Sequence, residues 1–452
     1  MKSFDIIDPS AGCAFAQAPA FDRDAVDASF TRALAAFRSW SRDEEARRSA
    51  MLAAAGSVEA ETEELAALLT TEQGKPLAEA EGEVRAVVAW MRYFAGLEVE
   101  DEVIREDESA VVRRLRRPMG VVAAIASWNY PLLIAAMKLA PALRAGDTVV
   151  LKPSPYTPLA TARTAELMAR GLPPGVFEVV TGGDEVGAWM TAHPIPRKVS
   201  FTGSIGAGKL VAAAVAPDLK RVTLELGGND AAIMLEDAEP AVLAPQVFAA
   251  AFRNCGQICS AIKRVYVAEP IYEEVVEAFA ERARELRLGP GLDRETEMGP
   301  INNPPQLTRV KELVEDALAG GGTALAGGTV LDRPGYFFAP TIVADVAEGT
   351  RLVDEEQFGP ALPVMPFKRV EEAVERANST RFGLCGSVWS ADPDRAALVA
   401  QELDCGTAWV NTHLGVGPDQ PFGGHRWSGI GLENGLPGVE SFSDSQTLVV
   451  AR

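Results

Sequence analysis

The chain has 452 residues, more than one hydrophobic core usually serves, so two or three domains are expected. Its composition, 47% hydrophobic and 23% charged, is that of a globular protein, and a net charge of −20 argues against nucleic acid or an anionic membrane surface as a partner. Five cysteines, at 13, 255, 259, 385 and 405, are too few and too scattered for a disulfide framework, so a reducing cytoplasm is expected.

The opening "MKSFDIIDPSAGCAFAQAPA" contains no apolar run of signal-peptide length. Residues 22–98 place apolar side chains at helical spacing, with Val26, Phe30, Leu34 and Phe37 as one stripe. Two or three helices are expected there, broken at "EQGKP" (72–76). Residues 99–118 mix charge with β-branched residues and read as an exposed hairpin or arm. The most apolar region, 119–143, is interrupted by "SWNYP" and Lys138, which suits a buried strand and helix better than a membrane span.

From 119 to 228 apolar runs recur as "GVVAAI", "DTVVLKPS", "GVFEVVTGG", "KVSFTGS" and "RVTLELGG". Their spacing predicts βαβ units in a doubly wound parallel sheet, with ligands at the carboxyl ends of the strands, where the glycines cluster. A second α/β segment follows. It starts with "KRVYVAE" (263–269) and a helix to about 287, and continues through "PVMPF" and "GSVWS" to "GTAWVN" (406–411). The tail "SFSDSQTLVV" ends in a strand-like run that would be an unprotected edge unless it pairs with another chain.

"GSIGAGKL" (203–210) nearly matches a phosphate-binding P-loop, but Leu210 stands where that loop needs a hydroxyl for Mg²⁺. Only three histidines occur, at 193, 413 and 425, and there is no G-x-S-x-G elbow. Any acids and bases are therefore expected to be carboxylates or lysines, and no metal is expected.

In "FRNCGQICSA" (252–261) the two cysteines have no second metal-ligand pair, so zinc is not indicated. The stretch reads evenly as a buried thiol with an incidental neighbour, or as a nucleophile beside backbone N–H donors. Glu225 in "LELGGND" is a structural carboxylate unless a nucleophile lies nearby, in which case it suits a base for water. Asn129 in "SWNYP" is either a turn residue or an oxyanion donor. Lys152 in "KPSPYTP" is either solvated or a ligand for sugar hydroxyls or phosphate.

Eight motifs together, adding "EEQFGP" (355–360), "WVNTH" (409–413) and "PFGGHRWSGIGLENG" (421–435), resemble the aldehyde dehydrogenase superfamily nearly end to end and in family order. The resemblance implies an α/β fold with a Rossmann-like cofactor domain (1–98 and 119–227), an α/β catalytic domain (228–427) and a β oligomerisation arm (99–118 and 436–452). It also implies a homodimer or homotetramer. Cys259 matches the nucleophile, and Asn129 with the Cys259 backbone N–H matches the oxyanion site. Glu225 matches the base that releases the acid, and Lys138 and Glu433 match a proton path from it. Trp128, Lys152, Ser154, Gly203, Ser204, Glu356 and Phe358 match cofactor-binding positions. Tyr130, Ile134, Met137, Ile258 and Ser260 match the aldehyde tunnel.

Pro155 stands where many NAD-preferring members carry a glutamate, so NAD is expected with NADP possible. Ser127 replaces a common proline, a change expected to be minor. Cys255 is expected to offer Cys259 a disulfide partner under oxidation. The tunnel contains no arginine, which points to a medium aliphatic or aromatic aldehyde. Two other readings are a P-loop nucleotide-binding protein, opposed by Leu210, and a CoA-acylating relative, opposed by Glu225.

Overall fold

The computed structural model describes residues 2–452. Lys2–Asp8 (β1) and Cys13–Ala20 (β2) form an antiparallel hairpin that the sequence reading did not anticipate. Four helices follow where two or three were expected: Arg23–Trp40 (α1), Glu44–Glu59 (α2), Thr62–Gln73 (α3) and Leu77–Gly96 (α4). Asp22 and Asp43 cap α1 and α2 by accepting from Ala25 N and Ala46 N, so a break of a few residues suffices without glycine. Gly74, at φ 98°, ends α3 in the left-handed region. The buried face of α1 carries Val26, Phe30 and Ala33, whereas Leu34 is 39% exposed.

Glu102–Glu106 (β3) and Ala110–Pro118 (β4) form the expected arm. The cofactor-side segment then runs Val121–Ile125 (β5), Pro131–Ala145 (α5), Thr148–Lys152 (β6), Leu159–Met168 (α6), Phe177–Val179 (β7), Asp184–Ala192 (α7), Lys198–Thr202 (β8), Ile205–Val215 (α8) and Arg221–Glu225 (β9). The second segment supplies Asp230–Met234 (β10), Ile262–Ala268 (β11), Thr323–Ala326 (β12), Thr341–Ala344 (β13), Ala361–Phe367 (β14), Cys385–Trp389 (β15) and Thr407–Val410 (β16). Gly429–Ile430 (β17) returns to pair antiparallel with β9, and Ser443–Ala451 (β18) pairs antiparallel with β4 along its whole length. The tail strand thus finds a partner in its own chain.

The first sheet has the order β17-β9-β8-β5-β6-β7 and the second β12-β13-β14-β11-β10-β15-β16. Within each, all pairs are parallel except the outermost β17–β9 and β12–β13. Every residue of β5, β6, β8 and β10 is buried, as in sheets covered by helices on both faces. No helix among the described residues is long and apolar enough to cross a membrane.

The chain lays β6 and β7 on one side of β5, then crosses back to place β8 and β9 on the other. Loops after β5 and β8 therefore diverge and open a crevice at the carboxyl edge of this sheet. The second sheet faces that crevice with its opposite edge, through the segments that precede β10, β11, β14 and β15.

Candidate active site

A cavity of about 850 Å³ fills this crevice. Its wall includes Trp128 and Asn129 after β5, Gly203 and Ser204 after β8, Cys259 before β11, and Glu356 and Phe358 before β14. Two glycines let these pieces meet. A Cβ on Gly228 would collide with the Cys259 carbonyl, and one on Gly227 with the Glu356 carboxylate.

Cys259 sits after an unusual turn in which Asn254 and Cys255 both take left-handed backbone, at φ 48° and 59°. Burial pushes its thiol up to about 12; Lys263 acts downward, and Glu225, Glu356 and Asp230 act upward. The buried Lys263 ammonium donates to the carbonyls of Ile258 (2.5 Å) and Cys259 (3.1 Å). It stands 3.6 Å from Glu356 Oε1, which also accepts from Gly228 N at 3.0 Å. Cys255 is buried in one apolar cluster and Cys259 packs against another.

Asn129 Oδ1 accepts from the Ser127 hydroxyl at 2.7 Å, which turns its amide N–H groups to the free side. A proline at this position could not make that bond. Glu225 is buried with neither carboxylate oxygen hydrogen-bonded. Burial, reinforced by Glu433 and opposed by Lys138, holds its carboxyl well above the usual range. Beside it, Lys138 Nζ donates to Glu433 Oε1 (2.6 Å) and Ser200 Oγ (3.1 Å), and the Ser200 hydroxyl also donates to Glu433 Oε1 (3.1 Å).

Ser204 caps α8 by accepting from Ala207 N, so the start of that helix faces the cavity and suits a phosphate. Lys209 lies outside on the helix surface, 3.8 Å from the centre of the Trp427 ring. This stretch does not form a P-loop. Glu356 and Phe358 lie across the cavity, with Phe358 edge-on to Trp128 at 5.3 Å.

Lys152 and Ser154 are buried at the end of β6 and do not line this cavity. Neither do Tyr130, Ile134, Met137, Ile258 and Ser260, although Tyr130, Ile134 and Met137 share one apolar cluster with Cys259. Sequence reasoning missed Ser200 and Lys263. Ser200 carries no local signal. For Lys263, the available signal was a pair of adjacent charged residues, Lys263 and Arg264, opening a largely apolar strand four residues after the cysteine.

A family model described as "Aldehyde dehydrogenase family" matches residues 1–448. Phenylacetaldehyde dehydrogenase of Pseudomonas fluorescens is 38% identical, covering 100% of this chain and 93% of that one. Human retinaldehyde dehydrogenase 3 is 37% identical, covering 99% and 90%. A crystal structure of betaine aldehyde dehydrogenase from Staphylococcus aureus in complex with NAD+ superposes with a TM-score of 0.96. It is 34% identical and covers 99% of this chain and 91% of that one. Fold, site geometry and sequence agree, and the chain belongs to the aldehyde dehydrogenase family.

Proposed function

We propose that the protein oxidises a medium aliphatic or aromatic aldehyde to its carboxylic acid through a thioester on Cys259. The observation that carries this reading is the meeting of Cys259, Asn129 and Glu356 in one cavity, with an unpaired buried Glu225 close enough to influence the thiol. Cys259 Sγ adds to the aldehyde carbon, and the oxygen takes hydrogen bonds from Asn129 Nδ2 and the Cys259 backbone N–H. A bound NAD, or NADP since no carboxylate stands at Pro155, supplies the hydride acceptor. The α8 start at Gly203 and Ser204 receives its pyrophosphate, and Trp128, Lys152, Ser154, Glu356 and Phe358 hold its remaining parts. Glu225 then takes a proton from water as the water attacks the thioester carbon, the C–S bond breaks to release the acid and the Cys259 thiolate, and Lys138, Ser200 and Glu433 carry the proton away.

The first sheet with 1–98 and 119–227 is proposed as the cofactor domain and 228–427 as the catalytic domain. The β3, β4 and β18 arm (99–118 and 436–452) would join subunits into a dimer or tetramer. Five unpaired cysteines support a reducing cytoplasm as the compartment. The absence of arginine among the proposed tunnel residues Tyr130, Ile134, Met137, Ile258 and Ser260 supports an uncharged substrate.

A panel of aldehydes with NAD and with NADP, followed by reduced-nicotinamide absorbance, tests the reading. Aliphatic and aromatic aldehydes are expected to exceed charged ones in kcat/KM. Cys259→Ala is expected to abolish turnover, and substantial residual activity would refute the assigned nucleophile. Glu225→Gln should retain the first turnover and slow acid release.

A further inference from the structure

The junction of α3 and α4 holds a buried ionic cluster that none of the chemistry above uses. Lys75, 1% exposed, lies 2.5 Å from Glu83 Oε2 and donates to the backbone carbonyl of Asn129 at 2.9 Å. Its ammonium also stands 3.5 Å from the centre of the Tyr130 ring. The second Glu83 oxygen accepts from Leu132 N (2.8 Å) and Leu133 N (3.1 Å). These are first-turn N–H groups of α5, whose own cap position, Tyr130, supplies no side-chain acceptor.

One ion pair thus grips both ends of the turn Asn129–Tyr130–Pro131. The same carbonyl of Asn129 accepts a second bond, 3.0 Å, from Asn254 Nδ2 in the left-handed turn before Cys259. Glu79 closes the circuit by accepting from Asn254 N (3.3 Å) and from the Tyr130 hydroxyl (3.4 Å). On the side-chain end, the Ser127 hydroxyl fixes Asn129 Oδ1. Both ends of Asn129 are therefore held, and only Nδ2 is left to act.

We infer that Ser127 and the Lys75–Glu83 pair are positioning residues that hold the Asn129 amide aimed at the developing oxyanion and in register with Cys259. The inference rests on the oxyanion role proposed for Asn129. A donor that is already aimed needs no reorganisation as charge develops, and this is where such a site gains its rate. An ammonium buried without acceptors would be costly. Here its acceptors are the Glu83 carboxylate and the Asn129 carbonyl, so its position is fixed by its own need for partners.

The test is the first-turnover rate of reduced-nicotinamide formation in Ser127→Ala and in the double variant Lys75→Met with Glu83→Gln. Each is made in the native background and in Asn129→Ala. The double variant keeps an amide oxygen to cap α5 and leaves no buried charge unpaired. In the native background Ser127→Ala is expected to slow the first turnover about three- to tenfold, the scale of one hydrogen bond. The double variant should slow it more, up to the roughly 100- to 1,000-fold loss of an oxyanion donor. In Asn129→Ala both effects should vanish, because there is no amide left to aim. Equal losses in both backgrounds, or none in the native one, would overturn the inference and leave the oxyanion role standing. If Asn129→Ala itself does not slow the first turnover, both readings fall. Should the double variant not fold, Glu83→Gln alone, which keeps an amide oxygen to cap α5, tests the pair with the same expectation in each background.

Discussion

The ionisation of Cys259 is governed first by burial, with the Lys263 ammonium acting downward against it. With the thiol pushed up to about 12, the reactive thiolate is scarce at neutral pH. Alkylation of Cys259 by iodoacetamide should therefore accelerate about tenfold per pH unit from pH 7 upward. Lys263→Met should slow it further at every pH by up to about tenfold, and a faster rate would contradict the assigned field. His413 offers a second pH test. It is held down to about 3 by burial, with Nε2 against the Ser260 carbonyl (2.8 Å) and Nδ1 unpartnered. Because its folded pKa lies below the unfolded value near 6.5, its contribution is fully present above that pH. As pH falls below it the unfolded chain binds the proton first, and stability drops by up to ~1.4 kcal/mol per unit. Glu72 and Asp230, both raised to about 8 by burial, act in the opposite direction, so the comparison must be differential. The urea midpoint of the wild type minus that of His413→Gln should be lower at pH 5 than at pH 7, because only the wild type carries this histidine's proton-linked loss.

Among the elements, glycines at two packing points make contrasting predictions. At Gly208 in α8 an added Cβ would come within 2.5 Å of Leu226 Cδ2, the far end of a side chain that can turn aside. Gly208→Ala should lower the melting temperature, at a cost of about 1–3 kcal/mol, and leave the first-turnover rate little changed. At Gly228 the added Cβ would meet the main-chain carbonyl of the nucleophile itself. Gly228→Ala should displace Cys259 and cut the first-turnover rate by ~100-fold or more in protein that still binds cofactor. The strands β5, β6 and β8 were legible because they are buried on both faces and stand out as short, largely apolar runs, whereas β10, equally buried, was not read from the sequence. The β1–β2 hairpin was not, since most of its residues are exposed and its apolar positions do not alternate cleanly. In α1 the helical spacing holds, but the packing face passes through the small Ala33 and leaves Leu34 largely outside it. Asn129, Glu225 and Cys259 stood out in the sequence because each lies in a distinctive local motif. Lys75, Ser200 and Lys263 owe their roles to partners far away or to a depth of burial that no short stretch reveals. Lys75 is 54 residues from the carbonyl it holds.

For the whole molecule, the unresolved demand is the outer side of β18. Its register with β4 pairs Leu448 with Arg113, Val449 with Val112 and Val450 with Val111, so one side of the strand is satisfied. The sheet ends there, in the order β18-β4-β3. Leu448, Val449 and Val450 remain 40%, 60% and 49% exposed, so an apolar run coincides with an open row of backbone donors and acceptors. Natural sheets shield such an edge with charge, proline or another chain, and this end of the strand carries neither charge nor proline. The arm itself is close to neutral, since the arginines of β4 are balanced by acidic residues on β3 and in the turn, so the net charge of −20 is not concentrated at this edge. Glu440 already engages Arg114 (3.1 Å) and Arg116 (2.7 Å), which anchors the tail to its own subunit and leaves the edge free for a second copy. The wild type should therefore run as a dimer or larger in light scattering at micromolar concentration. Val449→Lys combined with Val450→Lys should shift it toward monomer, because like charges along an edge repel a second copy while the pairing with β4 survives. If the wild type is a monomer at that concentration, or the doubly charged variant assembles as before, β18 is not the joining edge.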